Sequence, residues 1–134
     1  MLAYLWVAIG GALGSMARYG IGGFISEKTS GAFPWGTLLV NITGSFLIGV
    51  LGALTLPEGK MTPQSRAFAT QLFITGACGG YTTFSSFSLQ TLKLLQDREW
   101  FYAGGNILLS VVLCMIAVWL GYLLGNALNT MKGH

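Results

Sequence analysis

Four long apolar runs, parted by three short polar stretches at residues 26–31, 57–63 and 97–99, occupy almost all of this 134-residue chain. A helix needs roughly 20 predominantly apolar residues to cross the hydrocarbon of a bilayer, and each run meets that length. Only 8% of the residues are charged and 53% are hydrophobic, whereas a soluble domain carries about 25% charged residues. The expected fold is therefore all-α and integral to a membrane, with a single transmembrane domain over residues 1–134. Its four transmembrane helices are expected at about residues 2–25, 35–56, 64–95 and 100–128.

The third run is unlike the others. It contains Gly76-Ala77-Cys78-Gly79-Gly80-Tyr81-Thr82-Thr83-Phe84-Ser85-Ser86-Phe87-Ser88, in which glycines give way to hydroxyls and two aromatic rings. Backbone N–H and C=O groups in hydrocarbon must all find partners, so irregular backbone survives there only when protein or a polar cavity surrounds it. The spacing predicts a helix interrupted at mid-membrane, around residues 76–83, and it marks this segment as the place to look for function.

The first run begins at Met1 without a basic leader and contains Arg18, so it reads as a retained helix rather than a cleaved signal. No soluble flank is expected, and with it no catalytic domain, nucleic-acid-binding arm or regulatory tail. Cys78 and Cys114 fall inside apolar runs with no metal-ligand spacing and read as buried free thiols. Trp6, Trp35, Trp100 and Trp119 lie toward helix ends, where indoles anchor at the headgroups. Small residues recur at close spacing: Gly10, Gly11 and Gly14, then Gly44, Ser45, Gly49 and Gly52, then Gly121 and Gly125. On one helix face they permit close backbone approach.

Four helices bring both termini to one side. Lys60, Arg66 and Lys132 lie on that side and Lys28, Lys93 and Arg98 on the other, with Arg18 deeper in the first helix. Basic residues in flanking loops set orientation, and here they balance. Such a chain can insert in both directions, and two oppositely oriented copies can then pair about a two-fold axis in the membrane plane. Four short helices also bury too little to enclose a pore alone, and two-fold dimers are the commonest closed oligomers. An antiparallel, dual-topology homodimer is expected.

All four acidic residues, Glu27, Glu58, Asp97 and Glu99, sit in loops or at helix ends. A proton-coupled drug exporter of this size needs a membrane-embedded carboxylate, and none is available. An enzyme has equally little support: the single histidine is His134, and no nucleophile–base pair or metal-ligand cluster exists. The interior offers Arg18, amides and hydroxyls, a donor set suited to an anion. Arg18 either attracts anions at a vestibule or snorkels to the headgroups. Asn41, in an apolar stretch of the second run, either joins helices or donates its NH2 group to a passing anion. Asn106 and Ser110, four apart, form a polar track on one face of the last helix.

Phe84 and Phe87 are three apart and share a helix face. Core or lipid packing is the ordinary explanation of such a pair. They follow directly on the break, however, and alternate with Thr83, Ser85, Ser86 and Ser88. The positive edge of an aromatic ring attracts an anion without holding it tightly, and a pore must release what it binds. The break itself frees carbonyls, which are cation ligands. Brought together at a two-fold axis, they would suit a small hard cation such as sodium.

Three stretches carry a resemblance to a known family. Gly10-Gly11-Ala12-Leu13-Gly14-Ser15-Met16-Ala17-Arg18-Tyr19 resembles the first-helix signature of the fluoride channels of the Fluc (CrcB) type. Pro34-Trp35-Gly36-Thr37-Leu38-Leu39-Val40-Asn41-Ile42-Thr43-Gly44-Ser45-Phe46 resembles the second, and residues 76–87 the Gly-Gly-x-Thr-Thr-Phe-Ser-x-Phe signature. The resemblance covers nearly the whole chain. It implies passive, selective export of fluoride from the cytoplasm across a bacterial inner membrane, through a dual-topology dimer with two antiparallel pores. By position, it implies that Phe84, Phe87 and Asn41 line the pore, with Thr83, Ser86 and Ser88 as candidate hydroxyl ligands and Ser110 on the polar track of the fourth helix. Arg18 would sit at the vestibule, and the carbonyls of Gly79 and Thr82 would hold a structural sodium ion. Many members carry tyrosine at the position of Asn106, so an amide replaces a phenol on the track. Two other readings compete: a different small-anion channel or proton-coupled fluoride carrier, and a non-conducting subunit that packs against a partner membrane protein.

Overall fold

A computed structural model describes residues 1–132; His134 and the side chain of Lys132 lie outside the described residues. Among these the chain is all-helical. Helix α1 (Leu2–Lys28) and helix α2 (Trp35–Leu54) come first. The third pass begins with α3 (Pro63–Ala69), continues as a π-helix (Thr70–Cys78) and a single turn α4 (Gly79–Tyr81), and resumes after a gap as α5 (Phe84–Gln96). Helix α6 (Trp100–Lys132) ends the described chain.

Local chemistry accounts for most boundaries. Helix α1 runs one turn past residue 25 because Ser26, Glu27 and Lys28 remain helical until Thr29, whose N–H and hydroxyl both donate to the Ile25 carbonyl at 3.0 and 2.8 Å. Pro34 precedes α2, where a missing N–H costs least. Helix α2 stops two residues before residue 56, and Thr55 donates its hydroxyl to the Leu51 carbonyl at 2.9 Å. Thr62 caps α3 by accepting from the Ser65 N–H at 3.1 Å, with Pro63 in the first turn. The turn before α6 places Arg98 at φ 61°, a left-handed conformation costly for a side chain other than glycine.

Helix α6 packs chiefly along α2, and α1 packs along the π-helix and α4. Glycines make both seams. A Cβ on Gly10 or Gly14 would strike the backbone of the third pass, and one on Gly49 or Gly121 would strike backbone across the α2–α6 seam. The close-approach reading of these glycines holds, with Gly11 and Gly52 as exceptions that have open space beside them. Asn129 fastens the end of α6 to α2 by donating to the Ala53 carbonyl at 2.9 Å.

By length and composition α2 and α6 are apolar enough to cross a membrane. Only 17% of the most apolar window of α6 and 28% of that of α2 is buried. Large apolar side chains stand exposed along α1, α5 and α6. Such a surface is incompatible with water and fits lipid or another chain.

Candidate functional site

The interruption of the third pass is two residues long and lies at the far end of the expected span, not over the glycines. Gly76, Gly79 and Gly80 remain helical, and only Thr82 (φ −82°, ψ 156°) and Thr83 (φ −151°, ψ 117°) are extended. The break thus lies inside the expected span of residues 76–83, confined to its last two residues. Gly76 and Gly80 are needed for packing: an added Cβ would come within 3.0 Å of Gly10 Cα and 2.6 Å of the Gly11 carbonyl. Helical backbone satisfies its own polar groups in hydrocarbon, so close packing costs nothing in hydrogen bonds.

Side chains take up the groups released at the break. Asn41 accepts from the Thr83 N–H at 2.8 Å and donates to the Thr83 carbonyl at 3.0 Å, a two-point clamp from α2. Thr83 Oγ1 caps α5 by accepting from the Ser86 N–H at 3.1 Å. Both the N–H and the hydroxyl of Thr82 donate to the Cys78 carbonyl at 3.0 Å. Arg18 Nε donates to the Gly80 carbonyl at 3.2 Å. Gly44 lets the break lie against α2, since a Cβ there would meet the Thr82 methyl and approach the Tyr81 ring within 3.0 Å. Because the Thr83 N–H turns to Asn41 instead of back along the helix, the Gly79 carbonyl drops out of the helical ladder. Gly79 itself is exposed. Oxygen donors of this kind, at Gly79 and Thr82, fit a hard cation such as sodium.

Two cavities flank this point. One, of about 430 Å³, is lined by Asn41, Ser45, Thr82, Thr83, Phe84, Phe87, Ser110 and Cys114, with no acidic residue. The other, of about 540 Å³, contains Arg18, Thr37, Val40, Thr83, Ser86 and Gln90, with exposed Glu27 also on its lining. Thr83 belongs to both. The rings of Phe84 and Phe87 lie 5.3 Å apart at 49°. Phe84 is 77% exposed and so stands out from the protomer, leaving that side of the cavity without a wall.

Of the residues singled out from sequence, Asn41, Thr82, Thr83, Phe84, Phe87 and Ser110 therefore share one cavity, and Arg18 and Ser86 share the second with Thr83. Ser88 lines neither; it is exposed and donates to the Phe84 carbonyl at 2.9 Å. Asn106 lines neither: it is 2% exposed and bonds Thr91 and Ser110. Cys78 is a buried free thiol, whereas Cys114 is only half-buried, on the cavity wall.

Several neighbours escaped the sequence reading. Thr91 joins Asn106 to α5. The Thr43 and Tyr81 hydroxyls bond at 2.8 Å beside the break. Gln90 lines the Arg18 cavity with its amide oxygen buried and unpartnered. Thr91 had a legible signal, since α5 and α6 form a helical hairpin and positions 91 and 106 lie at nearly the same distance from its turn.

The fold and site define a class: an all-helical membrane protein with a hydroxyl- and amide-lined cavity at a broken helix. Residues 5–122 match the family described as CrcB-like protein, Camphor Resistance (CrcB), and the chain belongs to that family. It is 56% identical to the "Fluoride-specific ion channel FluC" of Methylocella silvestris, over 97% of this chain and 98% of that protein. It is 51% identical to the protein of the same name from Opitutus terrae, over 99% of both chains. A third relative of that name, from Rhodospirillum rubrum, is 51% identical over 90% of this chain and 92% of its own length. These relatives are ion channels by name, not enzymes.

Proposed function

We propose that this protein is a fluoride-selective ion channel that lets fluoride leave the cytoplasm passively, down its gradient. The observation that carries the reading is the cavity at the break, where Phe84 and Phe87 face Asn41, Thr83 and Ser110 with no carboxylate on the lining. An acidic side chain would repel fluoride and invite cations. Hydroxyl and amide hydrogens replace part of the ion's hydration shell, and ring edges attract it weakly enough for release. Arg18 supplies positive charge to the adjoining cavity, whose lining also holds exposed Glu27.

The working unit is an antiparallel homodimer with two pores, multi-pass in a bacterial inner membrane. Phe84, projecting from the protomer, supports it: a second copy supplies the wall that a single chain lacks. The Gly79 and Thr82 carbonyls of two such copies would hold a structural sodium ion at their junction. Sodium there would neutralise the converging carbonyl dipoles and join the two breaks. Thr83 and Ser86 offer hydroxyls along the route, and Ser110 lines it with its hydrogen given to Asn106; Ser88 and Asn106 act on it only through the backbone and neighbouring side chains.

The test is anion efflux from liposomes holding the purified protein. Fast fluoride efflux with no comparable chloride efflux is expected. Chloride moving as readily as fluoride sinks the selectivity, and the absence of any anion flux sinks the channel.

A further inference from the structure

A buried polar relay joins the two faces of the phenylalanine cavity. Ser110 donates its hydroxyl to Asn106 Oδ1 at 3.3 Å, Asn106 Nδ2 donates to Thr91 Oγ1 at 2.9 Å, and Thr91 donates to the Phe87 carbonyl at 2.7 Å. The three bonds point one way, from α6 to α5. Both ends, Ser110 and Phe87, line the cavity. The two middle residues are buried, Asn106 at 2% exposure and Thr91 at 7%, and neither touches the cavity.

Helix α5 has little else to hold it. It packs lightly on α6 and barely on α2, and its buried residues are Thr91 and Leu94. At its start the Asn41 clamp fixes Thr83, and at its end the short turn to α6 is closed on the Lys93, Leu94 and Leu95 carbonyls, but between these ends little fixes the rotation of the helix about its axis. Rotation would carry the Phe87 ring round the cavity wall. The relay opposes it one turn further along, at the residue four beyond Phe87. In an apolar medium hydrogen bonds of this kind are short of alternative partners.

We propose that Asn106 and Thr91 are positioning residues, which set the rotation of α5 and so hold the Phe87 ring on the cavity wall opposite Ser110. Asn106 then takes no part as an ion ligand; it acts through Thr91. The proposal rests on the channel reading of this cavity.

Thr91→Val removes the hydroxyl while keeping the shape, Asn106→Leu removes the amide, and Thr91→Ser keeps the hydroxyl. Each is reconstituted as the full chain, and fluoride and chloride efflux are measured per folded protein. Thr91→Val and Asn106→Leu are expected to lower fluoride efflux by about threefold or more, and not beyond about twentyfold, the factors such membrane hydrogen bonds are worth. The fluoride-to-chloride ratio should fall with it, and the double variant should be no worse than the poorer single one. Thr91→Ser should restore both readings. Unchanged efflux and ratio in Thr91→Val, or a loss of folded protein with the ratio intact, overturns the positioning role. Phe87→Ile run alongside separates the two failures: if it abolishes efflux, the channel reading survives and only the relay falls. If Phe87→Ile changes nothing, both fall.

Discussion

Asn41 holds the Thr83 peptide at both its polar ends, so the sequence-level choice between structural amide and ion donor resolves into a division of atoms. Its oxygen and one N–H are engaged at 2.8 and 3.0 Å, and the second N–H is left for the cavity. Asn41→Leu strips both partners from Thr83, and a buried backbone group left bare costs about 1–3 kcal/mol. Melting in detergent should show a loss of that size, and fluoride efflux should fall with it; a melting point equal to the parent's would remove the clamp. Phe84 makes the opposite case, because it is mostly exposed and adds little to protomer packing. Phe84→Ile is expected to abolish fluoride efflux while leaving the melting point close to the parent's. Efflux at the parental rate would end the assignment of Phe84 to the ion's path.

Elements pack here through backbone rather than through interlocking side chains. A Cβ on Gly121 would lie 3.0 Å from the Phe46 carbonyl carbon and 3.1 Å from the Val50 nitrogen. Gly121→Leu therefore separates α6 from α2, at the cost of about 1–3 kcal/mol typical of overpacking. Gly52→Ala adds a methyl in open space and should be neutral or mildly stabilising. Paired thermal melts check this: equal effects of the two substitutions would refute the seam. The four-run pattern, the glycine seams and the approach of Phe84 and Phe87 to the break were legible, because apolar length and spacing report them directly. The exact place of the break within residues 76–83 was not. Glycine is equally the residue of unwinding and of close approach, and Gly76 and Gly80 serve the second. What opens the chain is a threonine cap together with a clamp from Asn41, 42 residues away, a long-range pairing that local composition does not carry.

At the scale of the whole molecule, the expectation that matters is orientation. Three basic residues on each side, with Arg18 engaged at Gly80, leave no charge bias. Tags on the C-terminus should be accessible from both faces of the membrane in about equal number, as an unbiased chain requires. Detection from one face only would refute the antiparallel dimer. Exhaustive removal of sodium should silence fluoride efflux and its return restore it, with potassium a poor substitute; efflux indifferent to sodium would dismiss the carbonyl site.

Thr83 lies on the linings of both cavities, and this has a kinetic consequence. If the channel reading holds, two anions seated on either side of one threonine would repel each other through a medium of low dielectric. An ion arriving in one chamber would then loosen the ion waiting in the other, and throughput would rise more steeply than simple saturation as fluoride accumulates.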